Sequence, residues 1–361
     1  MIVRTDWSEF ETAIRSTVAA GTLTELGFDT VCVIVNPFAG AFSSPKRVRR
    51  TLGELQACRR AHHNGAAAGV DSSGPAVRFH YTHYVGHAME LALEEAEEHG
   101  SRLLLVSAGG DGTHGEVMRA ALSIGQERAA VVRMPLGTGN DGADAPDLES
   151  AVAILTGKAI EQRAGHLRIE PTNLRTHYGF NIASIGLDAY IASVTNRLKR
   201  HFRGDLYKVV ADVATLFYQQ LVGVAPMTLS IASGETTEVL EGEYMLTAIG
   251  VSGNRMYGGG KRVLPGKENL CAIEPLGLLG KIKLKALFYE GAHVHEPTVT
   301  MREATDVRVE YSRRVPMQVD GESLWLSPDH FPVRFTVLPP SVPVLAPAPD
   351  GGLDGSDQSK S

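Results

Sequence analysis

The chain is poor in cysteine. Cys32, Cys58 and Cys271 are the only ones in 361 residues, and they lie far apart. That spacing offers no metal-ligand pattern and predicts reduced, mostly buried thiols in a cytoplasmic protein. No apolar run approaches the ~18 residues that would suggest a membrane-spanning helix. The opening stretch MIVRTDWSEFETAIRS lacks the apolar core of a signal peptide. Positive charge is not in excess. A net charge of −6 argues against nucleic acid as a partner, although a local basic face remains compatible with it. No internal repeat of about 20–50 residues is visible.

What remains is the composition of an ordinary globular protein, 43% hydrophobic and 21% charged, long enough for two domains. Residues 1–29 read as a helical N-terminal extension. From Asp29, buried strands such as TVCVIV and RLLLVSA alternate with helices across short links. That order predicts an α/β domain with a parallel sheet covered on both faces, over residues 30–165. Ser44 and Pro45 mark the start of its first helix. Beyond, over residues 166–337, strand-like runs and turns predict an antiparallel β-sandwich. KIKLKALF is read as one of those strands, and residues 187–222 as a helix, with an apolar stripe from Leu206 to Phe217. Residues 347–361 are mostly Pro, Gly, Asp and Ser and are expected to be disordered.

Chemistry concentrates in LLLVSAGGDGTHGEVMRAAL, residues 103–122. Glycines between a parallel strand and a helix let main-chain N–H groups converge on an anion, and the helix turns its positive end to the same point. Gly109, Gly110, Gly112 and Thr113 therefore suit a phosphate chain. Thr113 and Glu116 also have the T-x-x-E spacing of a capping box. Asp111 beside phosphates is unfavourable unless a cation offsets it, and Mg²⁺ travelling with ATP would do so. PLGTGND offers Gly137, Thr138, Gly139, Asn140 and Asp141 after the next strand. NPFAG offers Asn36, Pro37 and Gly40 after the first. Three such loops at the carboxyl ends of parallel strands mark the sheet edge where ligands bind.

VNPFAG, AGGDGTHGEV, PLGTGND, FNIASIGLDA, VSGNRMYGGGKRVLPG, EGAHVHEP and VDGE, in this order, resemble the diacylglycerol kinase catalytic-domain family, which includes bacterial lipid kinases and sphingosine kinases. GGDGT alone is shared with NAD kinases and phosphofructokinases. The resemblance implies an NAD kinase-like α/β domain, a β-sandwich and a cleft holding ATP and a lipid head. It implies that the last strand, residues 338–346, returns to the first domain. By motif position, Asn36 to Gly40, Thr82, Gly110 to Glu116 and Thr138 would hold ATP. Asp320 and Glu322 would be the catalytic pair, one of them accepting the lipid hydroxyl's proton, with Asp111 beside the ATP-bound Mg²⁺. Lys199, in NRLKRHFRGDLY, matches a family lysine near the active-site network, and Lys261 and Arg262 follow YGGG. His293 matches a family histidine without an assigned role. A placed carboxylate helps a primary alcohol attack by about 10²–10⁴-fold. The residues leave open which of Asp320 and Glu322 is the base, and an isolated Asp–Gly turn is usually solvated.

Three departures stand out. His114 and Gly115 replace an apolar residue and an asparagine before Glu116. Ala41 stands where several relatives carry lysine or glycine. PGKENLCAIEP lacks the aspartates that hold a structural Mg²⁺ in bacterial relatives, so that site is expected to be absent or rebuilt. The leading expectation is MgATP-dependent phosphorylation of a lipid hydroxyl, diacylglycerol first, since GTGND favours that branch. The alternatives are another GGDGT kinase such as an NAD kinase, and a nucleotide- or lipid-binding regulator with weakened catalysis. Expected partners are ATP and a membrane lipid met in transient surface contact. The basic helix bearing KRVRR fits an ordinary solvated face better than an anionic bilayer, which it would also suit. Oligomeric state is left open, a homodimer included.

Overall fold

The computed structural model describes residues 7–63, 74–137, 147–201, 218–257 and 260–348. β1 (Thr30–Val35), β2 (Ala76–Tyr81), β3 (Leu103–Gly109) and β4 (Ala129–Pro135) are parallel, in the order β2-β1-β3-β4. β1 and β3 are buried along their whole length, which explains their continuous apolar runs. α1 (Ser8–Ala19), α2 (Pro45–His63) and α5 (Leu148–Leu155) cover one face, joining Phe10, Ile14, Leu52 and Leu155 in one core with Val31 and Val33. α3 (His87–Glu98) and α4 (Asp111–Ile124) cover the other, where Ala92, Val117 and Ala121 pack on Cys32 and Leu105. Burying a side chain such as Phe10 is worth about 1.5–3 kcal/mol.

The rest of the strands are mostly antiparallel, as expected. β7 (Ile182–Gly186), β10 (Leu246–Gly250), β13 (Leu270–Ile273), β14 (Val299–Arg302), β16 (Val315–Val319) and β17 (Glu322–Leu326) form one layer. It faces β8 (Pro226–Ser233), β9 (Thr236–Glu243) and β15 (Asp306–Tyr311) across a core that includes Ile185, Leu229, Val307, Met317 and Phe335. β5 (Ala159–Pro171) and β18 (Val333–Pro347) run through both parts. The first half of β18 pairs with β15, and its end pairs in parallel with β4 at Val344–Val131. The return of the last strand is thus present. β18 extends to Pro347, into the stretch expected to be disordered; residues 349–361 lie outside the described residues.

Two local readings need correction. KIKLKALF is not a strand. It lies in a helix, Leu278–Glu290, bounded by Gly277 and by Gly291 in the left-handed conformation at φ 74°. Lys and apolar residues alternate there by chance of composition, and the closing glycine was the better guide. The long helix is seen as α6 (Leu187–His201) and α7 (Tyr218–Leu221), so that Leu278–Glu290 becomes α8. The predicted stripe from Leu206 to Phe217 falls outside the described residues.

Candidate active site

The three glycine-bearing loops lie together at the carboxyl rim of the parallel strands. Main-chain bonds tie them: Asn36 N donates to Ala108 O, Ala41 N to Leu136 O, and Leu136 N to Gly109 O. The side chain of Asn36 donates to Thr113 Oγ1 at 3.0 Å and accepts from Phe38 N at 2.9 Å. A Cβ on Gly109 would stand 2.7 Å from the Thr113 side chain, so the strand-to-helix turn closes only around glycine. Arg47, in the first turn of α2, reaches back to Gly40 O and so sets a positive charge beside the loop that lacks a lysine at Ala41.

One cavity of about 1190 Å³ opens between these loops and the β-sandwich. Asn36, Gly40, Gly110 to Thr113 and Gly137 line it on one side, and Asp320 and Glu322 on the other. A Cβ on Gly112 would meet only Glu322 Oε1, at 3.8 Å. The sequence-predicted acids and the glycine bend therefore share a crevice. Pro37, Thr82, Gly109 and Glu116 do not line it. Thr82 is buried at the end of β2, where its N–H donates to Val35 O. Thr138, Gly139, Asn140 and Asp141 lie outside the described residues, as does the side chain of Lys199 on α6.

The capping box is not formed. α4 begins at Asp111, so Thr113 is already inside the helix and supplies no cap. Glu116 instead accepts from Gly86 N at 2.7 Å and Ala88 N at 3.0 Å, capping the neighbouring α3. A T-x-x-E spacing sees only its own helix; the orphan N–H groups it served belong to another.

The two acids of VDGE differ in kind. Asp320 and Gly321 occupy the left-handed region, φ 49° and 86°, and make the tight turn between β16 and β17. The Asp320 carboxylate is tied to the main chain. It accepts from Phe180 N at 2.6 Å, Asn181 N at 2.9 Å and Ile182 N at 3.1 Å, so it holds the entry to β7 in place. Burial raises its pKa, against the lowering pull of those donors. Glu322 is half-exposed on the crevice wall, 3.9 Å from the Arg119 guanidinium. Protein crowding raises its pKa, which Arg119 opposes and the charges of Glu116 and Asp320 reinforce.

Several cavity residues escaped the sequence reading. Arg133 of β4 is buried and pairs with the Asp111 carboxylate. The charge on Asp111 is thus offset within the protein by an arginine, where the sequence pointed to a metal or a lysine. Its signal was an arginine inside the apolar run AAVVRMP. His114, one of the departures, is held by Ser107 Oγ at 2.8 Å. Asp188, at the start of α6, accepts from Ser184 Oγ at 2.6 Å and Gln318 Nε2 at 3.1 Å, and Lys261, which the sequence did single out, also stands in the wall. Burial raises the Asp188 pKa. His293 is buried and its Nε2 meets Val263 O at 3.0 Å, a packing position. In the altered loop Lys267 pairs with Glu303 at 2.8 Å, and Asn269 bonds the main chain of Gly250 and Ala304.

Residues 30–168 match the diacylglycerol kinase catalytic domain, and residues 181–346 match the YegS C-terminal NAD kinase beta sandwich-like domain. A diacylglycerol kinase of Bacillus subtilis (strain 168) is 24% identical over 312 residues, covering 83% of this chain and 91% of that protein. A probable lipid kinase YegS-like of Cronobacter sakazakii is 28% identical over 273 residues, 70% of this chain and 83% of the relative. The fold is that of a putative diacylglycerol kinase from Bacillus anthracis str. Sterne, with a TM-score of 0.58 at 17% identity, over 88% of this chain and 97% of that one. With both halves matched in order and the glycine loops facing the VDGE turn, the chain belongs to the diacylglycerol kinase catalytic-domain family.

Proposed function

We propose that the protein is an ATP-dependent lipid kinase that transfers the γ-phosphate of MgATP to a lipid hydroxyl, with diacylglycerol as the acceptor. Family membership supports the class. The observation that carries the mechanism is the shared cavity, with Gly112 open toward Glu322. Main-chain N–H groups of the Gly110–Thr113 bend and the positive end of α4 bind the phosphates. Arg133 keeps Asp111 from repelling them. Asp111 supplies a hard oxygen donor of the type Mg²⁺ takes, alongside phosphate and water. Bound there, the ion would neutralise charge on the transferring group.

Glu322 accepts the proton of the lipid hydroxyl, because its carboxylate faces the crevice while that of Asp320 is spent on three main-chain donors. Asp320 positions the turn that carries Glu322. The wall around Asp188, Gln318 and Lys261 provides polar groups for the lipid head.

The test is phosphate transfer from ATP to a panel of lipids in detergent micelles: diacylglycerol, a sphingoid base, phosphatidylglycerol, with NAD as a non-lipid control. Phosphatidic acid is the expected product. ATP binding without any lipid product would overturn the assignment, and phosphorylation of NAD would replace it.

A further inference from the structure

α8 presents an apolar stripe to solvent. At 3.6 residues per turn, Leu278, Ile282 and Tyr289 share one narrow sector of the helix, with Leu279 at its edge. All four are exposed, Leu279 by 80%. Lys283, which pairs with Glu296 at 2.8 Å, and Lys285 are exposed on the two flanks of that sector. The opposite side is anchored, for Leu284 is buried and Phe288 packs into the adjacent core. A solvent-facing run of large side chains marks an interaction surface.

Its position gives it a purpose. α8 packs on β12 (Lys261–Leu264), and the first residue of β12 stands in the cavity wall. The stripe therefore sits on the lobe that carries the VDGE turn, one strand away from the crevice.

We propose that this face of α8 docks on an anionic lipid bilayer, an inference that rests on the lipid-kinase reading. Apolar side chains enter the boundary between headgroups and acyl chains, and flanking lysines meet anionic headgroups. The KRVRR segment of α2 carries charge but no exposed apolar stripe of this kind.

The experiment is co-sedimentation of the full chain with vesicles of phosphatidylglycerol and phosphatidylcholine, and of phosphatidylcholine alone. The parent protein partitions to anionic vesicles. Leu279→Asp with Ile282→Asp lowers that partition by at least about tenfold. Lys283→Gln with Lys285→Gln lowers it on anionic vesicles only. Both variants phosphorylate a dispersed short-chain diacylglycerol at the parent rate, which also shows that they fold. Parent-like partition of the Asp variant, or a parent that stays in the supernatant, overturns the dock. A dimer that dissociates on the Asp change, with vesicle binding intact, makes the face a copy interface and overturns it as well. Absence of soluble turnover in every chain, with vesicle binding lost only in the variants, refutes the acceptor assignment and supports the dock.

Discussion

Arg133 on β4 and Asp111 at the start of α4 form an ion pair in the cavity wall, the guanidinium 2% exposed and the carboxylate 33%. The asymmetry in burial makes the two partners unequal. Replacing the acid strands a buried cation; replacing the base leaves a carboxylate that water reaches. Asp111→Ala should cost about 3–5 kcal/mol, and Arg133→Met only about 1–2 kcal/mol. Chemical denaturation of both variants measures the difference. Equal costs would mean that the pair is not the buried network described here.

Glu322→Gln should lower kcat by about 10²–10⁴-fold with the unfolding midpoint unchanged. The raised pKa of Glu322 fixes the sign of the pH profile. A base works when ionised, so activity climbs as pH rises through that pKa, above the ordinary glutamate value of about 4.3. The acid limb of kcat/KM should disappear in the Gln variant. A limb that persists unchanged belongs to another group.

Asp320→Asn acts differently. The amide has one acceptor oxygen for three donors and turns its NH₂ toward a main-chain N–H. About 1–3 kcal/mol of stability should be lost, read as a fall of several degrees in the unfolding midpoint. A variant that melts like the parent yet has lost turnover would transfer the role of base to Asp320.

Gly112→Asp should abolish nucleotide binding while keeping the fold. The new Cβ meets nothing but the Glu322 carboxylate, so there is room, but the added charge faces both Glu322 and the phosphates. Isothermal titration with ATP and a thermal melt separate the two effects. ATP affinity equal to the parent's would remove the phosphates from this bend.

The sheet edge was legible because its signals are local: apolar runs ending in glycine, and one Asp–Gly turn. The class of the second domain followed from alternating strands. What escaped was tertiary. Glu116 serves a helix that begins some thirty residues earlier, which no window around Thr113 reveals. Arg133 is readable as odd within AAVVRMP, but only folding shows that its partner is Asp111. KIKLKALF satisfies strand and helix patterns together, and packing on β12 decides between them. In VDGE the acids look equivalent; three amides at the entry to β7 make one of them a brace.

β5 and β18 join the two lobes as one hydrogen-bonded ribbon, whose register slips between Leu338 and Val342 across Pro339 and Pro340, and those prolines border the cavity. The lobes are therefore not beads on a tether. Any breathing of the cleft must flex a shared spine at that proline kink, which limits how far Glu322 can swing from Gly112.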